Sequence, residues 1–129
     1  MNYFHTVQEF KQGKFDVVVS WGHEDTPLDM LFDDTCYDIQ EMARKIDSGL
    51  LDYFMARVQF FYHGTETGSS IVGGFLYEDV NKAFEEGLDG SLDDMMQEAE
   101  AESISFLGDM MSNLEKDFPN TYHGVTYDV

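Results

Sequence analysis

Between Leu50 and His63 the chain alternates in a way that few arrangements accommodate. Phe54, Ala56, Val58, Phe60 and Tyr62 fall on one side, and Met55, Arg57, Gln59, Phe61 and His63 on the other. A period of two is the signature of a β-strand, and apolar residues on both sides put that strand in the middle of a sheet. Gly64-Thr-Glu-Thr-Gly68 then reads as a turn into a partner strand over Ser70 to Tyr77. Gly73-Gly74 inside that partner predicts a bulge or a close backbone approach.

The rest of the chain supplies neighbours and cover. Phe15 to Trp21 is β-branched and aromatic and reads as a further strand, ended by Gly22 and the polar stretch through Pro27. Thr35 is the expected N-cap of a helix, with Asp38 three residues on as a variant capping box. Ile39, Met42, Ala43 and Ile46 share that helix's inner face, and Gly49 stops it. Glu78 to Glu86 reads as a short helix stopped at Gly87. Ser91 is the expected cap of the longest element, a helix over 92–117 of roughly 39 Å at 1.5 Å per residue. Its inward stripe is Leu92, Met96, Ala99, Ser103, Phe106, Met110 and Leu114, with Gly108 as a point of bending and Pro119 beyond its end. Met96 and Met110 are assigned to the core, and Met95 and Met111 to an interface fringe. Tyr122 to Tyr127 reads as an edge strand. No linker or repeat divides residues 1–129, so the expectation is one α+β domain, a small antiparallel sheet packed against helices with a long acidic amphipathic helix at the C-terminal end.

Charge narrows the partners. Twenty-six acids against seven bases give a formal net charge of −19, and the acids are clustered. One zone is the loop carrying Glu24, Asp25, Asp29, Asp33 and Asp34; the other is the outer side of the long helix, with Asp93, Asp94, Glu98, Glu100 and Glu102. A 129-residue domain has a radius of gyration of roughly 14 Å. B-DNA holds on the order of 20 phosphates over the 35 to 40 Å such a body spans, so the protein's charge per unit length is that of a short duplex. At 43% hydrophobic residues the chain has the material for a core, so this is not a disordered acidic tail.

Chemical alternatives fare worse. Calcium-loop spacing from Asp89 fails at its sixth position, where Asp94 replaces glycine inside a helix. His5, His23, His63 and His123 lack metal-ligand spacing, and Asp33, Asp34 and Asp38 oppose a thiolate at Cys36, which reads as a buried or inert thiol. Acid and base chemistry needs one desolvated carboxyl beside an ionised neighbour, whereas these clusters lie in a loop and on an outward face. The reading is therefore not an enzyme, with no cofactor and no metal. Direct nucleic-acid binding is opposed by charge, a membrane span by the lack of an apolar run, and the compartment expected is the cytoplasm. What remains is a basic protein partner, reached at long range and anchored by rim aromatics such as Tyr37, Tyr53 or Tyr77.

An acidic α+β chain of this length, with Glu24 to Asp38 and Asp93 to Glu102 turned outward and no catalytic motif, resembles the small anti-restriction and anti-CRISPR inhibitors of phages and mobile elements that mimic nucleic acid. The resemblance is one of general character and aligns no residue. It implies a stoichiometric inhibitor of a basic DNA- or RNA-binding host defence complex. The alternative is a small cytoplasmic adaptor for another basic protein, with the margin at Met95 and Met111 as contact.

Overall fold

The computed structural model describes residues 3–119. Strands β1 (Phe4–Gln12), β2 (Phe15–His23), β3 (Asp52–Tyr62) and β4 (Thr65–Tyr77) form one antiparallel sheet in that order. The two-faced strand β3 is interior, as its alternation requires. Helices α1 (Leu28–Leu31) and α2 (Ile39–Asp47) lie between β2 and β3, and α3 (Val80–Glu85) and α4 (Ser91–Asp117) follow β4. The α+β class, with a sheet and a long C-terminal helix, is thus what the chain forms. Among the described residues, no helix is long and apolar enough to cross a membrane. The expected strand Tyr122 to Tyr127 lies outside the described residues.

Strand β1 was not expected from the sequence. It joins β2 through a two-residue turn, Gln12 pairing with Phe15, with Gly13 at φ +61° in the first central position. That geometry matches the twist of the flanking strands and favours glycine. The second hairpin turns earlier than expected. Tyr62 pairs with Thr65, and His63 and Gly64 sit at φ +50° and +83°, the two left-handed residues of a tight primed turn. Residues 65–69 therefore belong to β4 rather than to a loop. At Gly73-Gly74 the register shifts, those two residues opposing Met55 alone, as the glycine pair predicts.

Val17 and Val19 of β2 and Phe54, Ala56, Val58 and Phe60 of β3 form the buried face of the sheet. Val80, Ala83, Phe84, Leu88, Met95 and Ala99 close over it. Phe54 is the centre of an aromatic cluster, with the rings of Phe75, Phe84, Tyr77 and Trp21 at 5.5, 5.9, 6.0 and 6.1 Å. Close docking of α4 depends on Gly68 of β4. A Cβ there would lie 2.8 Å from the Ser103 backbone nitrogen and against the Ala99 carbonyl oxygen. Beside it the Thr67 hydroxyl donates to Ser103 Oγ at 2.9 Å, so two buried hydroxyls satisfy each other at the contact.

Helix ends differ from expectation in instructive ways. Thr35 does not cap α2; its amide and hydroxyl both donate to Asp33 Oδ1 at 2.9 and 2.8 Å, closing a turn ahead of the helix. Asp38 is the cap, accepting from the Glu41 amide at 3.1 Å. Gly49, at φ +82°, ends α2 as expected, with its amide on Ile46 O and that of Leu50 on Lys45 O, a Schellman closure. Ser91 is the first residue of α4 rather than its cap. Ahead of it, Gly87, Leu88, Asp89 and Gly90 all have positive φ, a left-handed turn whose strain at Leu88 is offset by burying that side chain.

Helix α4 itself divides at Ser103. Met95, Ala99 and Ser103 are buried, and Leu92 and Met96 pack partly against the core. Met95 is therefore a core residue, not an interface fringe, because the docked stripe runs in steps of four along 95, 99 and 103. Past Ser103 the expected inward stripe is no longer buried: Phe106, Met110 and Leu114 are exposed, and Leu107 beside them is half-buried.

Candidate functional site

The acids of α4 stand on a rigid support. Five carboxylates between residues 93 and 102 occupy an axial length of about 13.5 Å, an average axial step of roughly 3.4 Å. One strand of B-DNA carries a charge every 3.4 Å or so and the duplex one every 1.7 Å or so, so the axial step of the ridge is that of one strand. Among the described residues the ion pairs lie elsewhere: Lys11 bonds Asp16 at 2.7 Å, and Arg44 pairs with Glu41.

The ten candidate acids are not equivalent. Glu98 accepts from the Ser70 hydroxyl at 2.5 Å and Glu102 from the Ser69 amide at 2.7 Å, so these two clamp α4 to β4. Glu24 is half-buried and accepts from the Gly74 amide at 2.8 Å and the Thr26 amide at 3.2 Å. It occupies the space that a Gly73 side chain would need. Asp33 holds the Thr35 turn, and that amide and hydroxyl pull its carboxyl below the usual range. Glu98 and Glu102 are exposed, as expected, but each is also bonded to β4; Glu100 is half-buried, and Glu24 is tied in place rather than a free loop charge. Asp93, Asp94 and Glu100 on the helix, and Asp25, Asp29 and Asp34 in the loop, carry their charge without such a task. Asp29 and Asp34 come together with Asp38, Cys36 and Tyr37 around an open hollow of about 680 Å³.

Strand β4 brings the two acidic zones together. It is an edge of the sheet, and an edge strand presents unpaired amides that invite another chain. Glu102 takes the amide of Ser69 and Glu24 that of Gly74, so carboxylates from both zones close one edge. Five residues of extended chain separate these points by at most about 17 Å. Sequence reasoning saw two zones and had no means of relating them, because the link runs through a backbone edge.

The rim tyrosines divide likewise. Tyr53 donates to Thr26 O at 2.7 Å, and burial, then the Glu24 charge, raise its pKa. Tyr77 donates to Asp89 Oδ2 at 2.7 Å, and burial first, then Asp89 and Glu86, push its hydroxyl up to about 12. Tyr37 is exposed, its ring edge-on to Phe32 at 5.2 Å. Cys36 is exposed rather than buried. Among the described residues, no three His, Cys, Asp or Glu side chains gather closely enough to hold a metal ion.

Tyr77 gives a pH prediction. Its folded pKa lies above the unfolded value near 10, so its contribution to stability is complete below that pH and is lost as pH rises towards 12. Ultraviolet titration of the folded protein should show a late-ionising tyrosine that Tyr77→Phe removes. Persistence of that phase in Tyr77→Phe would show that another hydroxyl produces it.

Comparison with known proteins finds no matching family model, no matching curated protein and no matching solved structure.

Proposed function

We propose that the protein is a stoichiometric inhibitor whose acidic face takes the place of nucleic acid on a basic DNA- or RNA-binding protein, such as a nuclease, a restriction enzyme or a CRISPR effector of a host defence system. The observation that carries this reading is the ridge of α4, where carboxylates recur at phosphate-like density on a helix bonded to the sheet. A rigid array of charge meets a basic groove without the ordering loss of a flexible acidic loop. Asp93, Asp94 and Glu100 would stand opposite Arg and Lys of the partner, with Asp25, Asp29 and Asp34 extending the contact around the β4 edge. Glu24, Asp33, Glu98 and Glu102 serve mainly to hold these groups in place. Inhibition of this kind is by occupancy and involves no turnover.

The test is mutual exclusion. The partner recovered on this protein at low salt is loaded with a labelled nucleic acid, and the inhibitor is added. One-for-one release of the label is the expected result. A ternary complex holding both would refute mimicry and favour the adaptor reading.

A further inference from the structure

The two edges of the sheet are finished differently. At β4, carboxylates take the amides of Ser69 and Gly74, whereas at β1 no described residue takes the amides that point outward. Which amides point outward follows from the turn. The two-residue turn closes on Gln12 and Phe15, so that pair exchanges both its hydrogen bonds, and the alternation of an antiparallel ladder does the same for Phe10 with Val17 and Gln8 with Val19. Glu9 and Lys11 fall between these pairs, and their amides and carbonyls face away from β2. The bulge at Val7 and the turn at Gly13 confine this regular stretch to residues 8–12. Both side chains are exposed on the face of the sheet opposite Val17 and Val19, where Lys11 reaches Asp16 of β2 at 2.7 Å. Strands β1 and β2 and their turn carry Glu9 and Asp16 against Lys11 and Lys14, so this end of a chain of net charge −19 is neutral.

We infer that β1 is a self-association edge: two copies pair their β1 strands antiparallel about a two-fold axis at Phe10, joining two sheets into one of eight strands. Charge selects both the occupant and the register. Outward groups must meet outward groups, which leaves three symmetric registers: Glu9 opposite Glu9, Lys11 opposite Lys11, or Glu9 opposite Lys11 twice. The first two set like charges directly across from each other, which destabilises a sheet. The third sets two opposite-charge pairs and makes twice as many backbone hydrogen bonds. A basic strand meets Lys11 with like charge, an acidic strand meets Glu9 with like charge, and an uncharged strand answers neither, whereas a second copy matches both. Phe10 then lies opposite Phe10 in a non-hydrogen-bonded pair, where side chains are closest, and each ring is already half-buried against its own core. The acid-closed β4 edges end up seven strand spacings apart, about 34 Å, several Debye lengths at physiological ionic strength. Five residues a side bury less than the 1,200 Å² or so at the lower bound of stable interfaces, so association is weak and concentration-dependent. The dimer leaves both α4 ridges uncovered, and the inference does not depend on what the ridges bind.

Sedimentation equilibrium of the full chain at physiological salt tests it, and a monomer–dimer equilibrium is expected. Glu9→Lys and Lys11→Glu, each at an exposed position, should each weaken dimerisation by about tenfold and leave the melting curve of the dilute monomer unchanged. Mixed one to one, these two variants should pair with each other as tightly as the parent pairs with itself, because every acid again lies opposite a base. The variant carrying both changes should regain self-pairing for the same reason. Hydrogen exchange of the parent gives a second readout: the amides of Glu9 and Lys11 should slow as concentration rises, and those of β4 should not. A monomer at every accessible concentration, a dimer that both single variants leave intact, or a mixture no tighter than its components overturns the proposal. Exchange at Glu9 and Lys11 that is independent of concentration overturns it as well.

Discussion

Gly68→Ala should lower stability by about 2 to 3 kcal/mol, the range for forcing a methyl group into a closed contact. The new Cβ would press on the Ala99 carbonyl and the Ser103 amide, both backbone atoms of α4, so no flexible side chain can yield. Either the helix lifts from β4 or the strand bends. Lifting would expose Met95 and Ala99 and separate Thr67 from Ser103, which is why the effect exceeds that of one methyl group. For a domain of this size the fall corresponds to roughly 6 to 12 °C in melting temperature. Gly108→Ala provides the contrast, since nothing lies within 4 Å of a Cβ there and the residue is in mid-helix. It should gain about 1 kcal/mol. Thermal melts of the two variants, with opposite signs, check that α4 docks through Gly68 and stands free at Gly108. Equal melting of Gly68→Ala and the parent would show that this contact is looser than drawn.

Two sets of acids should separate binding from stability. Changing Asp93, Asp94 and Glu100 to Asn, Asn and Gln removes charges that hold nothing within the protein, so the melting curve should be unchanged or slightly raised as self-repulsion falls. Affinity for the basic partner should drop by roughly 10- to 100-fold, because exposed pairs contribute about 0 to 1 kcal/mol each and three are lost together. Glu98→Gln with Glu102→Gln should do the reverse in emphasis. These carboxylates bind the Ser70 hydroxyl and the Ser69 amide, and hydrogen bonds to charged acceptors contribute more than neutral ones. Their loss should destabilise the protein by about 1 to 2 kcal/mol and weaken partner binding less than the first set. Measured side by side by calorimetric melting and equilibrium binding, equal loss of affinity from both sets would dissolve the distinction between ridge and clamp.

The sequence made some of this architecture legible and hid the rest for identifiable reasons. The alternation of residues 50–63 located the interior strand, and the glycine pair at 73 and 74 its bulge, because both patterns have one physical cause. Strand β1 was hidden by a bulge of its own. The register shifts at Val7, so Phe4 and Phe10, six residues apart, point to opposite faces of the sheet and show no common period. The stripe on α4 was misjudged by one residue at Met95 and Met96, since steps of three and of four both suit a helix and only the sheet beneath selects between them. Its apolar pattern runs on to Phe118, yet the fully buried side chains of α4 stop at Ser103, which the spacing of the apolar residues does not mark. Clustering of charge marked the two acidic zones. Which acids are tied was not legible, because Glu98 and Glu102 lie on the flank of a helix beside an edge strand, and that neighbour is set by topology.

The central claim, that the ridge of α4 substitutes for nucleic-acid phosphates, is tested most directly by the salt dependence of partner binding. Each carboxylate that pairs with a partner cation contributes to the slope of log affinity against log salt, as each phosphate does in a nucleic-acid complex. Binding isotherms for the parent and for the variant with Asp93→Asn, Asp94→Asn and Glu100→Gln, across a range of salt, give that slope. The account predicts a steep negative slope for the parent and one shallower by up to about three for the variant. Equal slopes, with equal affinity at every salt concentration, would contradict it.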